Sequence, residues 1–253
     1  MKFLNILSYN IHKGFNTGNR KFILDQIKKS ILTTQSDIVF LQEVVGHHSS
    51  HSKKIESWPT NSQFEFLADQ AWDHHVYGKN AVHTKGHHGN AILSKFSIAS
   101  WANYDISTRF ESRGILHVVL NDPQLKGPLH LFCIHFGLFR KDRKMQTEVL
   151  IDKIQEFVPK NAPLIIAGDF NDWREDLSIP LYKKIGLKEV FLASNGRHAL
   201  TFPSKFPLLP LDRIYYKNLE LDSVKIFDHN SWNRLSDHLP IYAKLKFPHT
   251  HCN

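Results

Sequence analysis

The chain has 253 residues, 42% of them hydrophobic, which suits one large α/β domain or two small ones. No linker divides it, so we expect a single domain over residues 1–253. Lysine and arginine number 32 against 24 aspartate and glutamate residues, and the net charge of +8 favours an anionic partner such as nucleic acid or a phospholipid surface. A basic, soluble surface without such a partner would carry the same charge.

Apolar runs of strand length recur along the chain. They cover residues 3–9, 38–41, 90–93, 115–120, 129–134, 164–167, 213–216, 224–227 and 239–245. Helical periodicity predicts amphipathic helices over residues 21–34 and 149–157, with shorter helices over 64–72 and 177–185. Because these elements do not alternate one to one, the pattern predicts two packed sheets flanked by helices.

Two polar stretches, residues 46–62 and 84–89, interrupt the pattern and are predicted to be exposed loops. They contain the histidine pairs 47–48 and 87–88, and other histidine clusters occur at 74–75 and 249–251. None has the tight ligand spacing on a regular element that zinc sites use, so we do not expect a native metal site there.

The cysteines and the beginning of the chain bear on its compartment. Cys133 lies in an apolar run and Cys252 near the end, which is not the pattern of a disulfide framework. The first residues become polar too early for a signal-peptide core, and no run approaches the ~18 apolar residues of a membrane-spanning helix. We therefore expect a cytoplasmic protein, for which attachment to a membrane surface stays an open alternative. The sequence indicates no obligate protein partner.

Polar side chains follow several of the predicted strands. Asn10 and Glu43 occupy equivalent places after the first two strands, and Asp169 follows the buried run 164–167. If the first two strands are parallel and joined by the helix over 21–34, Asn10 and Glu43 emerge at the carboxyl edge of the sheet, where α/β proteins bind ligands. Each residue alone could be an ordinary polar residue at a turn or strand end, but the set indicates a ligand-binding site.

Carboxylate and amide oxygens are the ligands of hard divalent cations, and Mg²⁺ uses one or two protein carboxylates. Glu43 is the first choice for such a ligand, with Asn10 and Asp237 beside it. The predicted cofactor is therefore Mg²⁺ or Mn²⁺.

Two histidines are candidates for acid–base chemistry. His238 is next to Asp237 and precedes an apolar strand, while Asp212 begins another strand. A catalytic imidazole needs a carboxylate to fix its tautomer, so Asp212 is the predicted partner of His238. His135 ends the run 129–134 and is a candidate for a second catalytic imidazole, although a single histidine at a strand end is more often structural.

In this arrangement the chain resembles the endonuclease/exonuclease/phosphatase superfamily of DNase I-like nucleases, repair exonucleases, neutral sphingomyelinases and inositol polyphosphate phosphatases. The matching segments are SYNIH at 8–12, LQEV at 41–44, GNAILS at 89–94, IHFG at 134–137, GDFN at 168–171, LDRI at 211–214 and SDHLP at 236–240. Each segment is weak evidence, but together they keep the order of the family over residues 8–240.

The resemblance implies a fold class and a set of roles. The fold would be a four-layer α/β sandwich with the active site at one end of two packed mixed sheets. Glu43 would be the principal metal ligand, with Asn10 contacting metal and phosphate and Asp237 binding metal or orienting its neighbour. The other implied roles are water activation and phosphate contact by Asp169 and Asn171, base or hydrogen-bonding chemistry by His238 held by Asp212, a second imidazole from His135, and phosphate contact by Arg113.

The function expected from these residues is metal-dependent hydrolysis of a phosphodiester, with nucleic acid as the first substrate because basic charge favours phosphate backbones. The alternative is a phospholipid or phosphoinositide hydrolase, for which Trp58, Trp72, Trp101 and Trp232 could form an apolar rim. A non-catalytic binding module is disfavoured because the implied catalytic residues are all present. His12, at a position where repair endonucleases of the family often carry an acid, disfavours abasic-site repair.

Overall fold

The strands form two six-stranded sheets in a computed structural model that describes residues 3–228 and 231–248. The strands are Phe3–Asn10 (β1), Ile38–His48 (β2), His74–His83 (β3), Gly86–Ser94 (β4), Ile98–Asp105 (β5), Gly114–Leu120 (β6), Leu129–His135 (β7), Leu164–Asp169 (β8), Lys188–Glu189 (β9), Asp212–Lys217 (β10), Glu220–Ile226 (β11) and Ile241–Lys246 (β12). The first sheet has the order β11-β12-β1-β2-β4-β3, and the second has the order β5-β6-β7-β8-β10-β9.

Most of the helices pack on the outer faces of the two sheets, whereas one helix buries Val190 and Phe191 in the cluster between them. The helices are Leu24–Thr33 (α1), His51–Lys54 (α2), Gln63–Ala68 (α3), Arg140–Phe157 (α4), Ser178–Ile185 (α5) and Val190–Asn195 (α6). One apolar cluster lies between the sheets, a second joins α1 and α3 to the first sheet, and a third joins α4 and α5 to the second. The predicted four-layer α/β sandwich of two mixed sheets is confirmed.

Each sheet contains one parallel pair of strands. β1 and β2 are parallel and are connected through α1, and β7 and β8 are parallel and are connected through α4. The buried face of α1 carries Leu24, Ile27 and Ile31, which is the periodicity that predicted this helix. The two parallel pairs set the positions of the candidate site, because their carboxyl ends lie at the same edge of each sheet.

Some elements depart from the sequence-based prediction. β3 and β5 were not predicted, because they are edge strands with polar, partly exposed residues and carry no continuous apolar run. α4 begins nine residues earlier than the predicted residue 149, since its first half buries the polar side chains of Arg143, Gln146 and Thr147. The two predicted loops are partly wrong, because β2 extends to His48 and β4 begins at Gly86, and the two strands pair there.

Two predictions concern the location of the protein. In the described part of the chain, no helix combines the length and the apolar character that crossing a bilayer requires. Cys133 is buried with a free thiol, whereas Cys252 and the cluster at 249–251 lie outside the described residues. The cytoplasmic location stays a prediction.

Candidate active site

Polar side chains collect at one edge of the two sheets. Asn10, His135 and Asp169 end the parallel strands β1, β7 and β8, and Glu43 lies within β2 just beyond the pairing with β1. Asp212 begins β10, which is antiparallel to β8, and it pairs directly with Asp169. Strand direction alone therefore brings residues from distant parts of the chain together.

A bulge in β2 shapes the position of Glu43. The pairing of β2 with β4 shifts register between Leu41 and Val44, and Glu43 has a φ of 57°. This left-handed conformation is unfavourable for a non-glycine residue and is typical of functional sites. The Oε2 atom of Glu43 is buried and accepts no hydrogen bond from the described residues, although the Lys13 Nζ lies 3.3 Å away.

The electrostatic surroundings keep Glu43 ionised. Burial by itself would raise the pKa of Glu43, but nearby positive charge, including the Lys13 ammonium, outweighs that effect and lowers the pKa to about 2. An ionised carboxylate oxygen that lacks hydrogen-bond donors matches what a hard cation needs from a ligand.

Asp169 depends on the glycine that precedes it. Gly168 has a φ of 150°, and a Cβ there would collide with the carbonyl oxygen of Ile134 in β7. The Oδ1 atom of Asp169 accepts the backbone N–H of Asn171 at 3.0 Å, and Oδ2 accepts the side-chain amide of Asn10 at 3.2 Å. Both oxygens are thus held in place by donors from separate segments.

The surroundings of Asp169 raise the pKa of its carboxyl group. Burial is the largest influence and, with repulsion from Asp212, raises the pKa of Asp169 to about 7 despite the opposing His238 imidazole. The Nε2 atoms of His135 and His238 lie 3.5 and 3.7 Å from Asp169 Oδ2. A carboxylate with this pKa can accept a proton close to neutral pH.

His238 and Asp212 form a hydrogen-bonded pair. The His238 Nδ1 atom lies 2.8 Å from Asp212 Oδ2, and the Thr201 hydroxyl donates to the same oxygen at 2.6 Å. Burial lowers the pKa of His238, but the carboxylates of Asp212 and Asp169 outweigh it and raise the pKa to about 10. His238 is therefore an imidazolium at neutral pH, and its Nε2 N–H lies beside Asp169 Oδ2 at 3.7 Å.

His135 is uncharged, in contrast to His238. Burial, followed by the nearby Arg113 guanidinium, holds the pKa of His135 well below its usual range, so the ring is neutral. Arg113 donates from Nε to the Phe136 carbonyl at 3.2 Å and pairs with Glu111 at 2.9 Å. Asn171 donates its side-chain amide to the same carbonyl at 2.9 Å, so one backbone oxygen links Arg113 to the Asp169 loop.

Asp237 lies at the more open side of the site. Its side chain is 30% exposed, and Oδ1 lies 3.7 Å from His12 Nδ1. The preceding Ser236 donates its hydroxyl to the Asn10 carbonyl at 2.7 Å, which ties the segment before β12 to the end of β1.

The residues that could hold a cation fall into two groups. Within residues 3–228 and 231–248, one set of three acidic or imidazole side chains has ligand atoms within 4.8 Å of one another: Asp169, Asp212 and His238. His238 Nδ1 and Asp212 Oδ2 of this set already share a hydrogen bond, so the set suits acid–base chemistry. The oxygen donors Glu43, Asn10 and Asp237 fit Mg²⁺ or Mn²⁺ better, because the buried Oε2 of Glu43 accepts no hydrogen bond from the described residues.

Sequence reasoning missed several residues of the site. Lys13 beside Glu43 and Thr201 beside Asp212 both carry short contacts, as does Glu111 with Arg113. Lys13 follows directly on the first motif and could have been found there. Thr201 and Glu111 lie in irregular segments, where no periodicity indicates which side chains turn inward.

The chain matches known proteins over almost its full length. The model of the endonuclease/exonuclease/phosphatase family matches residues 7–238. A protein of Escherichia coli (strain K12), named "Uncharacterized protein YbhP", is 43% identical over 241 residues, which are 95% of each chain.

Solved structures support the same fold at low sequence identity. A mannosyl-6-phosphatase of Bacteroides thetaiotaomicron VPI-5482 aligns with a TM-score of 0.72 and 18% identity, over 96% of this chain and 100% of its own. D. rerio TDP2, complexed with a single strand DNA product, aligns with a TM-score of 0.70 and 18% identity, over 97% of this chain and 100% of its own. At these identities the likeness shows the fold alone.

Proposed function

Because the chain belongs to the endonuclease/exonuclease/phosphatase family, we propose that it is a Mg²⁺- or Mn²⁺-dependent phosphodiesterase that hydrolyses nucleic acid. The observation that carries this proposal is the meeting of two features at one sheet edge. One is the ionised Glu43 carboxylate, whose buried Oε2 has no hydrogen bond within the described residues, and the other is the network of Asp169, His238 and Asp212.

Glu43, Asn10 and Asp237 are the residues proposed to hold the metal. A divalent ion bound there would neutralise charge on the non-bridging phosphate oxygens. Lys13, 3.3 Å from Glu43, supplies a further positive charge on the same side of the cleft.

The proton chemistry is assigned from the charge states of the side chains. Asp169, in its ionised form, accepts a proton from water as the water oxygen bonds to phosphorus, and the opposite P–O bond breaks. The leaving oxygen then takes a proton from solvent. Asn171 fixes Asp169 through its N–H at 3.0 Å.

His238 acts in this scheme as a hydrogen-bond donor to a phosphoryl oxygen rather than as the base. Its pKa of about 10 makes it an imidazolium, and Asp212 fixes its ring through Nδ1. His135 is neutral and donates or accepts a hydrogen bond without adding charge. Arg113 is proposed to contact the phosphate beyond the scissile bond.

Charge and exposed aromatic residues support a nucleic-acid substrate. The chain carries a net charge of +8. Phe110 and Phe139, exposed by 74% and 56%, lie on loops that adjoin Arg113 and His135, and Phe206, exposed by 77%, lies on the turn that packs over His238. Aromatic rings beside a basic groove are the usual platforms for single-stranded nucleic acid.

A phospholipid or phosphoinositide substrate is the alternative, and one observation favours it. Leu208, exposed by 72%, adjoins Phe206 and extends the apolar surface beside the cleft. The tryptophan rim predicted from the sequence is wrong, because Trp72 and Trp232 are buried in the core at 4% and 6% exposure.

A substrate panel tests the proposal. Labelled single-stranded DNA and RNA oligonucleotides, phospholipid vesicles and a sugar phosphate are each incubated with Mn²⁺ or with EDTA. We expect Mn²⁺-dependent cleavage of the oligonucleotides and its loss in the Glu43→Gln variant. Faster hydrolysis of the vesicles would support the alternative, and preference for the sugar phosphate would contradict a phosphodiesterase.

A further inference from the structure

A cavity of about 760 Å³ lies between α4 and α5, on the outer face of the second sheet. Its lining includes the buried side chains of Arg143, Ile151 and Leu177. None of the residues proposed for catalysis lines it, although Asp172 of its wall directly follows Asn171. The cavity is therefore a separate space that adjoins the catalytic loops.

Arg143 places an incompletely paired cation in the lining of this cavity. The residue is 1% exposed, and its Nη1 donates to the Leu138 carbonyl at 2.6 Å and to the Gly137 carbonyl at 3.4 Å. Its Nη2 is buried without a hydrogen-bond acceptor among the described residues, and the guanidinium lies 4.3 Å from the Trp173 ring centroid. The carboxylates of Asp172 and Asp176 also act electrostatically on this guanidinium, and its Nη2 atom has almost no accessible surface, so Arg143 acts on an anion in the cavity through its charge.

The acidic groups of the wall are mostly neutralised by other partners. Asp172 accepts the backbone N–H groups of Asp176 and Leu177 and lies 3.5 Å from the Arg213 guanidinium. Asp176 pairs with Arg140 at 2.8 Å. Of the acids that line the cavity, Glu148 forms no ion pair with any of the described residues.

The rim carries a surplus of positive charge. Lys141, Lys144 and Lys184 line the cavity and form no ion pair within the described part of the chain. Together with Arg143 they outnumber Glu148. The lining as a whole contains five cationic side chains and three carboxylates, so its net charge is positive and favours an anion.

The remaining wall is apolar. Ile151, Leu177 and Pro180 line the cavity beside the cations. A simple inorganic anion would satisfy the charge but leave this surface in contact with water, whereas a ligand with a hydrocarbon part would cover it.

From these observations we propose that the cavity between α4 and α5 binds an amphiphilic anion, a phosphate-type headgroup carried on a short apolar chain. The headgroup contacts the rim lysines, with the buried charge of Arg143 behind them, and the chain packs on Ile151, Leu177 and Pro180. The site goes beyond the proposed hydrolysis, because it needs neither the metal nor the catalytic residues.

Titration calorimetry on the full chain tests this site with two non-hydrolysable probes, hexylphosphonate and methylphosphonate. EDTA in the buffer keeps the metal site from capturing either probe. We expect hexylphosphonate to bind about tenfold tighter than methylphosphonate or better, because its longer chain leaves water on binding. Equal affinity of the two probes, or no binding of either, would overturn the proposal.

Variants locate the binding. The double variant Lys144→Gln/Lys184→Gln should weaken hexylphosphonate binding by about tenfold through the loss of two cations. The matched control Lys160→Gln/Lys183→Gln removes the same charge from exposed positions outside the lining and should bind as the parent does. Arg143→Met should abolish binding if it folds. Equal weakening in the test and control variants would mean non-specific charge attraction and would contradict the site.

Discussion

Glu43 and Asn171 both adopt left-handed backbone conformations, with φ values of 57° and 50°. Neither is glycine, so each conformation costs energy that the surrounding structure must offset. For Glu43 the cost accompanies the bulge in β2, and for Asn171 it accompanies the turn closed by Asp169. Other non-glycine residues, such as Gln35 and Asn218, also have a positive φ, so this conformation supports the candidate site only together with its contacts.

Glu43→Gln should weaken Mn²⁺ binding without loss of the fold. The buried Oε2 of Glu43 has no hydrogen-bond donor, so the neutral amide removes the charge at little structural cost. Electron paramagnetic resonance of Mn²⁺ titrated into the protein measures the affinity, and we expect a loss of about tenfold or more. Unchanged affinity would remove Glu43 from the metal site.

The pH dependence of kcat/KM should have two limbs. Activity should rise with pH as Asp169, whose pKa is raised to about 7, loses its proton. It should fall at higher pH as His238, whose pKa is raised to about 10, loses the proton with which it forms a hydrogen bond to the phosphate. Because Asp212 is the main group that raises the pKa of His238, Asp212→Asn should move the alkaline limb to lower pH. An alkaline limb that does not move would contradict the assignment of His238.

His238→Ala should lower turnover by about two to four orders of magnitude, because a positioned imidazole contributes about that much. The folded state should persist, since the ring makes one short polar contact, with Asp212 at 2.8 Å, and a longer one with Asp169 at 3.7 Å. Circular dichroism and steady-state kinetics on the metal-loaded protein check the two statements. Full activity in this variant would contradict the mechanism.

At the scale of elements, the close approach of β7 and β8 depends on Gly168. Gly168→Ala would drive a Cβ into the Ile134 carbonyl, and we expect a loss of about 2–4 kcal/mol of unfolding free energy. Gly186→Ala is the matched control, because its φ of 82° is also positive but no atom lies within 4 Å of the added Cβ. The unfolding free energy of Gly186→Ala should fall by only about 1 kcal/mol, because of backbone strain. Equal losses in urea unfolding would mean that strain, and not the collision, sets the cost.

A histidine pair on β6 and β7 should make stability depend on pH. Burial, then the neighbouring His130, lower the pKa of His117 to about 4, and the two rings are joined at 3.1 Å. The unfolded chain takes up a proton near pH 6.5 and the folded chain only near 4, so stability is complete above about pH 6.5 and declines as pH falls towards 4.

The size of that decline should be on the order of 2 kcal/mol. Denaturant unfolding between about pH 7 and pH 4.5 should show a shallower decline in His117→Gln, while His47→Gln, which changes an exposed histidine, should behave as the parent does. A parallel decline in all three proteins would assign the effect to other groups.

The elements predicted from the sequence are those with a buried face. β1, β7, β8 and α1 carry apolar runs or apolar periodicity, and each was found within a few residues. β5 and the first half of α4 were not, because an exposed edge strand and a helix that buries Arg143 have no apolar pattern to detect. The polar residues that follow such buried strands, Asn10, His135 and Asp169, lie together at one sheet edge, but their roles stay predictions.

At the scale of the whole molecule, the two sheets bring together residues that are far apart in sequence. Asn10 and Asp169 are joined by a hydrogen bond across 159 positions, and Ser236 returns to Asn10 across 226. Motif order in the sequence indicated that such residues share a site, but not which atoms meet. Contacts such as Thr201 with Asp212 depend on loop conformation, which follows from packing and not from local pattern.

The net charge of +8 leads to a prediction about substrate binding. If nucleic acid is the substrate, affinity for a single-stranded oligonucleotide should fall linearly with salt on logarithmic axes, by about tenfold or more between about 50 and 200 mM. Fluorescence anisotropy with the His238→Ala variant measures binding without cleavage. An affinity that does not change with salt would contradict a phosphate-backbone ligand.

Hydrolysis of bis-p-nitrophenyl phosphate by the purified protein tests the central claim most directly. The parent protein, His238→Ala and Glu43→Gln are compared with Mn²⁺ and with EDTA, alongside the monoester p-nitrophenyl phosphate. A metal-dependent phosphodiesterase predicts diester cleavage by the parent with Mn²⁺, none with EDTA, and strong loss in both variants. Cleavage that persists in EDTA, or that both variants retain, would contradict a metal-dependent site built on Glu43, Asp169 and His238.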